Sequence, residues 1–291
     1  MKKFFLLIIL SLVFTSFANA QSRQVAVMKD GNWAFFDSFD DAVQNADPGS
    51  DVIVPGGEYS YRGYIPIEKE LHIYGAGHYP GYTQETGVTK IISSLNFSTG
   101  SDNSSISGVK IHEIDVAGIN NFRISRCYIT GGIDLNEATT NFKCSESVIR
   151  MLNGAGCEQA IIEKNIFTLS IHNFNYALFT NNIFTFDEGN ILYFLSNSII
   201  RNSIFTNTNQ INTFSGLSSC IFERNIFGWD PSTKFDPGTT HTSIDNLINV
   251  DPSTVFVNYS TPGFDYGNDY HMKAGSPGIG YGTDGTDVGI Y

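Results

Sequence analysis

"FTNNIFTF", Phe179–Phe186, decides how this chain is read. Two asparagines sit beside the strand-like run Ile-Phe-Thr-Phe, although asparagine is depleted from strands. Near copies follow and precede it: "IIEKNIFT", "IIRNSIFT" and "IFERNIFG". Aligned on the residue before Ile-Phe, they give the series Asn165, Asn182, Ser203 and Asn225. The series extends back through Ser147 in "CSESVIR", Cys127 in "ISRCYIT" and Val109 in "ISGVKIH". From Val109 onward the steps are 18, 20, 18, 17, 21 and 22 residues.

Each unit repeats an apolar residue three places earlier (Ile106, Ile124, Cys144, Ile162, Phe179, Ile200, Phe222). Each repeats another two places later (Ile111, Ile129, Ile149, Phe167, Phe184, Phe205, Phe227). The apolar runs are short and broken by Asn, Ser, Thr and Gly, which reads as strand–bend–strand rather than helix. A unit of about twenty residues is too short for a propeller blade or a helical hairpin, and the leucine-rich framework is absent. It suits one turn of a parallel β-helix. The aligned Asn is expected to turn the chain, because Asn tolerates the left-handed conformation. It is also expected to hydrogen-bond to its copies above and below, so Asn165, Asn182, Ser203 and Asn225 form a structural ladder. The flanking Ile and Phe are expected to stack into the core.

Outward from the repeat, "DSFDDAVQNADPGSDVIVPGGEYS" predicts a short capping helix and then a strand. Ser38 is placed to cap the helix with Asp41 at its third position. Phe39, Ala42, Val43 and Ala46 share one face. The order of this helix, "GSDVIVPGGEY", "LHIYGAG" and the Asn-bearing units resembles the right-handed parallel β-helix proteins of the pectate-lyase-like superfamily, of the secreted bacterial type. The tail, "NLINVDPSTVF" and "DYHMKAGSPGIGYGTDGTDVGIY", resembles their terminal coils and cap. The expected fold is all-β: a solenoid of roughly ten coils behind a short N-terminal capping helix. One domain is expected over 21–291, with a cap at 21–50, coils at 51–256 and a C-terminal coil and cap at 257–291. "WDPSTKFDPGTTHTSIDN" reads as a loop leaving the last regular coils.

Residues 1–20 read as a signal peptide: Lys2 and Lys3, the apolar run Phe4–Phe17, then Ala18-Asn19-Ala20 as an A-x-A cleavage site. Export to the periplasm or beyond follows, with no later stretch long and apolar enough to span a membrane. The net charge of −12 makes nucleic acid a poor partner. Cys127, Cys144, Cys157 and Cys220 permit three disulfide pairings, or simply four buried thiols.

The resemblance implies that any site lies on an exposed sheet face, in columns contributed by successive coils. After each bend unit come "HEIDVAG", "GGIDLNEA", "RMLNGAG", "LSIHNFN", "NILYFLS" and "QINTFSG". Period-two alternation turns Ile114, Ile133, Ile171 and Ile211 inward. Asp115, Asp134, His172 and Asn212 then point outward, with Glu113 and Asn136 nearby. Asp115, Asp134 and His172 are the catalytic candidates, and Glu113, Asn136 and Asn212 the ligand-binding ones. Paired carboxylates could share a proton, hold Ca²⁺ or flank a glycosidic bond. Asp284 and Asp287 in "TDGTDVG" are the other candidate Ca²⁺ ligands, against a simple tight turn. The leading expectation is an exported, glycan-binding or surface-associated solenoid with a polysaccharide or cell-surface glycan as partner. The alternatives are a polysaccharide lyase or glycoside hydrolase acting across Asp115–Asp134, and a protein-binding, adhesin-like module.

Overall fold

The computed structural model describes residues 24–83, 87–136, 139–155, 157–185, 192–206, 214–260 and 264–290. The expected signal peptide and Asn212 lie outside them. The chain is an all-β, right-handed parallel β-helix of about nine turns, close to the ten expected.

Each repeat unit contributes one rung to two long sheets. In the first, Ile106, Ile124, Cys144, Ile162, Phe179, Ile200 and Phe222 stand in register. After a bend, the chain enters the second sheet through Ile111, Ile129, Ile149, Phe167, Phe184, Phe205 and Phe227. Both columns point into the core and are buried. Along the second column Phe167, Phe184, Phe205 and Phe227 stack at centroid distances of 5.5, 4.3 and 4.6 Å.

The ladder sits at the bend between the sheets. The backbone N–H of Cys127 donates to Ser147 Oγ (3.1 Å), that of Ser147 to Asn165 Oδ1 (3.0 Å) and that of Asn165 to Asn182 Oδ1 (2.9 Å). The chain continues from Asn182 to Ser203 Oγ (3.1 Å), Ser203 to Asn225 Oδ1 (3.0 Å) and Asn225 to Asn246 Oδ1 (2.9 Å). These N–H groups point into the solenoid, where no strand partner exists, so each coil's side chain satisfies the donor of the coil before it.

The left-handed turn falls one residue earlier than the repeat alignment suggests. Asn182 does not have positive φ; Asn181 does, at 56°, as do Arg126, Glu146, Lys164, Asn202 and Arg224 in the equivalent places. Gly108 holds the same position at φ 71°, and a Cβ there would lie 2.6 Å from the Gly75 carbonyl oxygen. The two asparagines of "FTNNIFTF" therefore divide the work: Asn181 turns the chain and Asn182 bonds along the stack.

Ile and Phe of the repeat also point to opposite faces, as adjacent strand residues must. The Phe enters the core. The Ile points out, yet Val148, Ile166, Ile183, Ile204 and Ile226 are buried beneath Val255, Phe256, Tyr270 and Val288. The C-terminal segment thus lies along the side of the coils instead of stacking on the last one. Asn181 Nδ2 and Asn202 Nδ2 donate to Asp287 O (3.1 Å) and Thr283 Oγ1 (3.1 Å). Tyr266 reaches back to His78 and Tyr79.

At the N-terminal end, Ser38 caps the helix Phe39–Asn45 by accepting the Asp41 N–H (3.2 Å), and Phe39, Ala42, Val43 and Ala46 are buried. An antiparallel hairpin precedes it: Val25–Lys29 pairs with Asn32–Phe36 and with Ser50–Val54, joining the first sheet. The stretch read as a departing loop instead supplies another rung, since His241–Ile244 pairs in parallel with Cys220–Glu223 and Asn246 continues the ladder. All four cysteines are buried and unpaired. Burial pushes the Cys127 thiol up to about 12, so it is inert as a nucleophile.

Candidate functional site: an acidic column on the second sheet

The strand Lys110–Ala117 is interrupted by an irregularity: Ile111 pairs with Ile129, but Glu113 pairs with Gly132. The partner strand has one residue more across this step, a bulge that locally bends the pair, and Ile111 and Ile114 both face inward although they are three residues apart. Beyond it Ile114, Ile133, Leu152, Ile171, Leu192 and Phe214 stack inward and are buried. The next residue of each coil faces out, in the order Asn96, Asp115, Asp134, Asn153, His172, Tyr193 and Ser215.

Asp115 and Asp134 are register partners on adjacent coils. Glu113 lies two residues before Asp115 on the same face, and one carboxylate oxygen from each of the three falls within 4.8 Å of the others. The Tyr64 hydroxyl and the Ser94 hydroxyl each donate to Glu113 Oε2 at 3.3 Å. Tyr64 is accordingly raised above its ordinary value, by the Glu113 charge first and then by Asp115. Asp115 is raised to about 6, by burial first and then by the charges of Glu113 and Asp134. A proton can therefore reside in this cluster close to neutral pH.

The column continues as a hydrogen-bonded relay. Asn153 Nδ2 donates to Asp134 Oδ1 (2.9 Å), and Asn173 Nδ2 donates to Asn153 Oδ1 (3.0 Å). Asn173 Nδ2 also lies 3.0 Å from His172 Nδ1. The His172 ring stacks on Tyr193 at 4.8 Å and 1°. Burial lowers the His172 imidazole below its ordinary value, opposed by the Asp134 charge, so it is neutral at pH 7.

Of the residues singled out in the sequence, Asp115, Asp134 and His172 share this column and Glu113 joins it from the side. Asn136 follows Asp134 by two residues, opposite Ala117. Ile211 and Asn212 lie outside the described residues, and the rung described there is Phe214–Ser215, which places Ser215 beside Tyr193. Asp284 and Asp287 are engaged in a turn: Asp284 Oδ1 accepts from the Thr286 N–H (3.1 Å) and hydroxyl (2.6 Å), and Asp287 Oδ1 accepts from the Gly280 N–H (2.8 Å). Asn96, Asn153 and Tyr193 went unnoticed in the sequence, and Tyr64 stands out there only as one of a cluster of tyrosines near the first coils. Asn153 could have been found, because it follows Leu152 in "RMLNGAG" as Asp134 follows Ile133.

The raised Asp115 has a stability consequence. Its folded value lies above the ordinary 3.8, so the folded state binds the extra proton, and stability falls as pH rises from about 4 through about 6. Asp115→Asn should therefore be more stable than the parent at pH 7.5, by about 1 kcal/mol after allowance for solvent screening. The two proteins should converge below pH 4, which urea unfolding at both pH values measures.

Among the described residues, no helix is long and apolar enough to cross a membrane. No protein-family model and no curated protein matches the sequence. Solved structures similar to it include the pectin methylesterase from Aspergillus niger in deglycosylated form, at 14% identity and a TM-score of 0.41, covering 82% of this chain and 90% of that one. The penultimately deglycosylated form of the same enzyme gives 14% identity and a TM-score of 0.35, covering 84% and 88%. At that distance neither likeness bears on what this chain binds.

Proposed function

We propose that this chain is an exported solenoid that binds a glycan along the outward column of its second sheet, without turning it over. The observation that carries the reading is the in-register series Asn96, Asp115, Asp134, Asn153 and His172. It sets carboxylates, amides and an imidazole at the regular spacing of neighbouring strands, about 4.8 Å. Such a row can accept from and donate to the hydroxyls of successive sugar units. The Asp134–Asn153–Asn173 relay holds the side chains in place, so little side-chain freedom is lost on binding. Glu113, Asp115 and Asp134 also supply three of the oxygens that Ca²⁺ requires, leaving the rest to ligand or water.

A second reading, glycoside hydrolysis, is favoured by one observation: Asp115 keeps its proton up to about pH 6 beside two other carboxyl groups. Asp115 would protonate the glycosidic oxygen and the Asp134 carboxylate would attack or stabilise the sugar. Carboxylate oxygens within 4.8 Å suit the close pairing that retains anomeric configuration.

Residues 21–291 applied to a glycan array at pH 5.5 and 7.5, with and without Ca²⁺, test both readings. Binding without release of reducing or unsaturated ends is expected, weakened at least about 10-fold by Asp134→Ala, which removes the acceptor of Asn153. Turnover abolished by Asp115→Asn would establish hydrolysis instead. Failure to bind any glycan would refute both and leave protein binding.

A further inference from the structure

The N-terminal end of the first sheet is a strand edge. Asn32–Phe36 is the terminal strand of that sheet, and among the described residues nothing pairs with its outer side. Its sequence, Asn-Trp-Ala-Phe-Phe, contains no charged residue and no proline. Sheet edges ordinarily carry such residues, because an uncharged row of free N–H and C=O groups templates further pairing. Here the edge also presents large rings: Trp33 is 55% and Phe35 61% exposed. The apolar surface runs inward along the same face. Phe35 stands opposite Ala26, Ala26 opposite Ile53 and Ile53 opposite Tyr74, with Ile53 and Tyr74 at 38% and 40% exposure.

We propose that this edge pairs with the same edge of a second copy of the chain, forming a two-fold dimer joined end to end through antiparallel strands. Register selects this occupant. An antiparallel pairing centred on Ala34 sets Trp33 of each copy against Phe35 of the other. Aromatic pairs directly across strands are among the favourable ones. The same rotation superposes the patch on itself, so the contact is isologous and closes at two copies. Charge along the strand does not oppose the pairing. The chain carries −12, so two copies repel over most of their surface, and this strand is uncharged along its whole length.

Sedimentation equilibrium on residues 21–291 from about 1 to 200 μM brackets the expected micromolar range. A monomer–dimer equilibrium is expected, with dissociation raised at least about 10-fold in Phe35→Lys and in Trp33→Lys, and little changed in Phe35→Tyr. Both lysines replace exposed residues, and far-UV circular dichroism confirms the fold of each variant. Trp33 is one of two tryptophans, so Trp229→Phe makes it the sole reporter. Its emission should shift to the blue as concentration rises through the dimer range. A monomer at every concentration, or a dimer indifferent to both lysines, overturns the proposal. Blue emission from a species that sediments as monomer also overturns it, since the edge is then covered within its own chain.

Discussion

Asn182→Ala is expected to lower the unfolding free energy by about 2–5 kcal/mol, because it strands several buried polar groups at once. Asn182 is wholly buried. Its Oδ1 accepts from the Asn165 N–H (2.9 Å) and from Asn165 Nδ2 (3.2 Å), and its Nδ2 donates to Ile162 O (2.9 Å). Removal leaves the Asn165 N–H and the Ile162 carbonyl inside the solenoid with no water to replace the lost partner. The neighbouring Asn181 provides the contrast. It holds φ at 56° and its Nδ2 donates to Asp287 O at 3.1 Å. Glycine adopts that backbone freely, so Asn181→Gly should cost only about 1 kcal/mol, for the lost bonds to Asp287 O and from the Thr180 hydroxyl (2.9 Å). Urea unfolding of the two variants separates the ladder from the turn. Equal losses would show that Asn182 contributes nothing beyond local conformation.

Phe205→Ala should cost about 3–5 kcal/mol, by loss of transfer energy and creation of a cavity. Phe205 is fully buried between Phe184 and Phe227, at 4.3 and 4.6 Å, and its ring meets the Phe214 edge at 5.9 Å. Rings fixed on successive rungs by the backbone ladder cannot close toward one another, so the cavity persists. Each coil of a solenoid leans only on its neighbours. A cavity at this coil should therefore also reduce cooperativity, seen as a lower urea dependence than in the parent. A loss near 1 kcal/mol with unchanged slope would mean that the coils repack around the gap.

The repeat was legible in the sequence because the same physical demand recurs on every coil. One small polar side chain must face inward at the bend, so Asn165, Asn182, Ser203 and Asn225 align despite uneven spacing. The coil interior was legible for the same reason, and Ile114 and Ile133 fixed the outward facing of Asp115 and Asp134. What failed were readings that needed information from elsewhere in the chain. Ile183 and Ile204 looked like core because nothing local says that a segment fifty or more residues later covers them (Val255, Phe256, Tyr270, Val288). Ile211, the inward residue read for the coil after Leu192, lies outside the described residues, and the rung described beside Leu192 is Phe214. His241–Ile244 was hidden by the prolines before it. The Asp30-Gly31 pair was a hairpin signal in plain view: both residues have positive φ, at 50° and 82°, and join Val25–Lys29 to Asn32–Phe36.

The central claim is that the acidic column is where this protein meets its ligand. Carboxyl-detected NMR titration of Asp115, in the free chain and saturated with the glycan found on the array, tests it most directly. The free midpoint is expected at about 6. Saturation should move it and shift the Asp134 and Glu113 carboxyl signals, while Asp284 in its distant turn stays unchanged. A glycan that binds while the Asp115 midpoint and all three carboxyl signals of the column stay where they were would contradict the account.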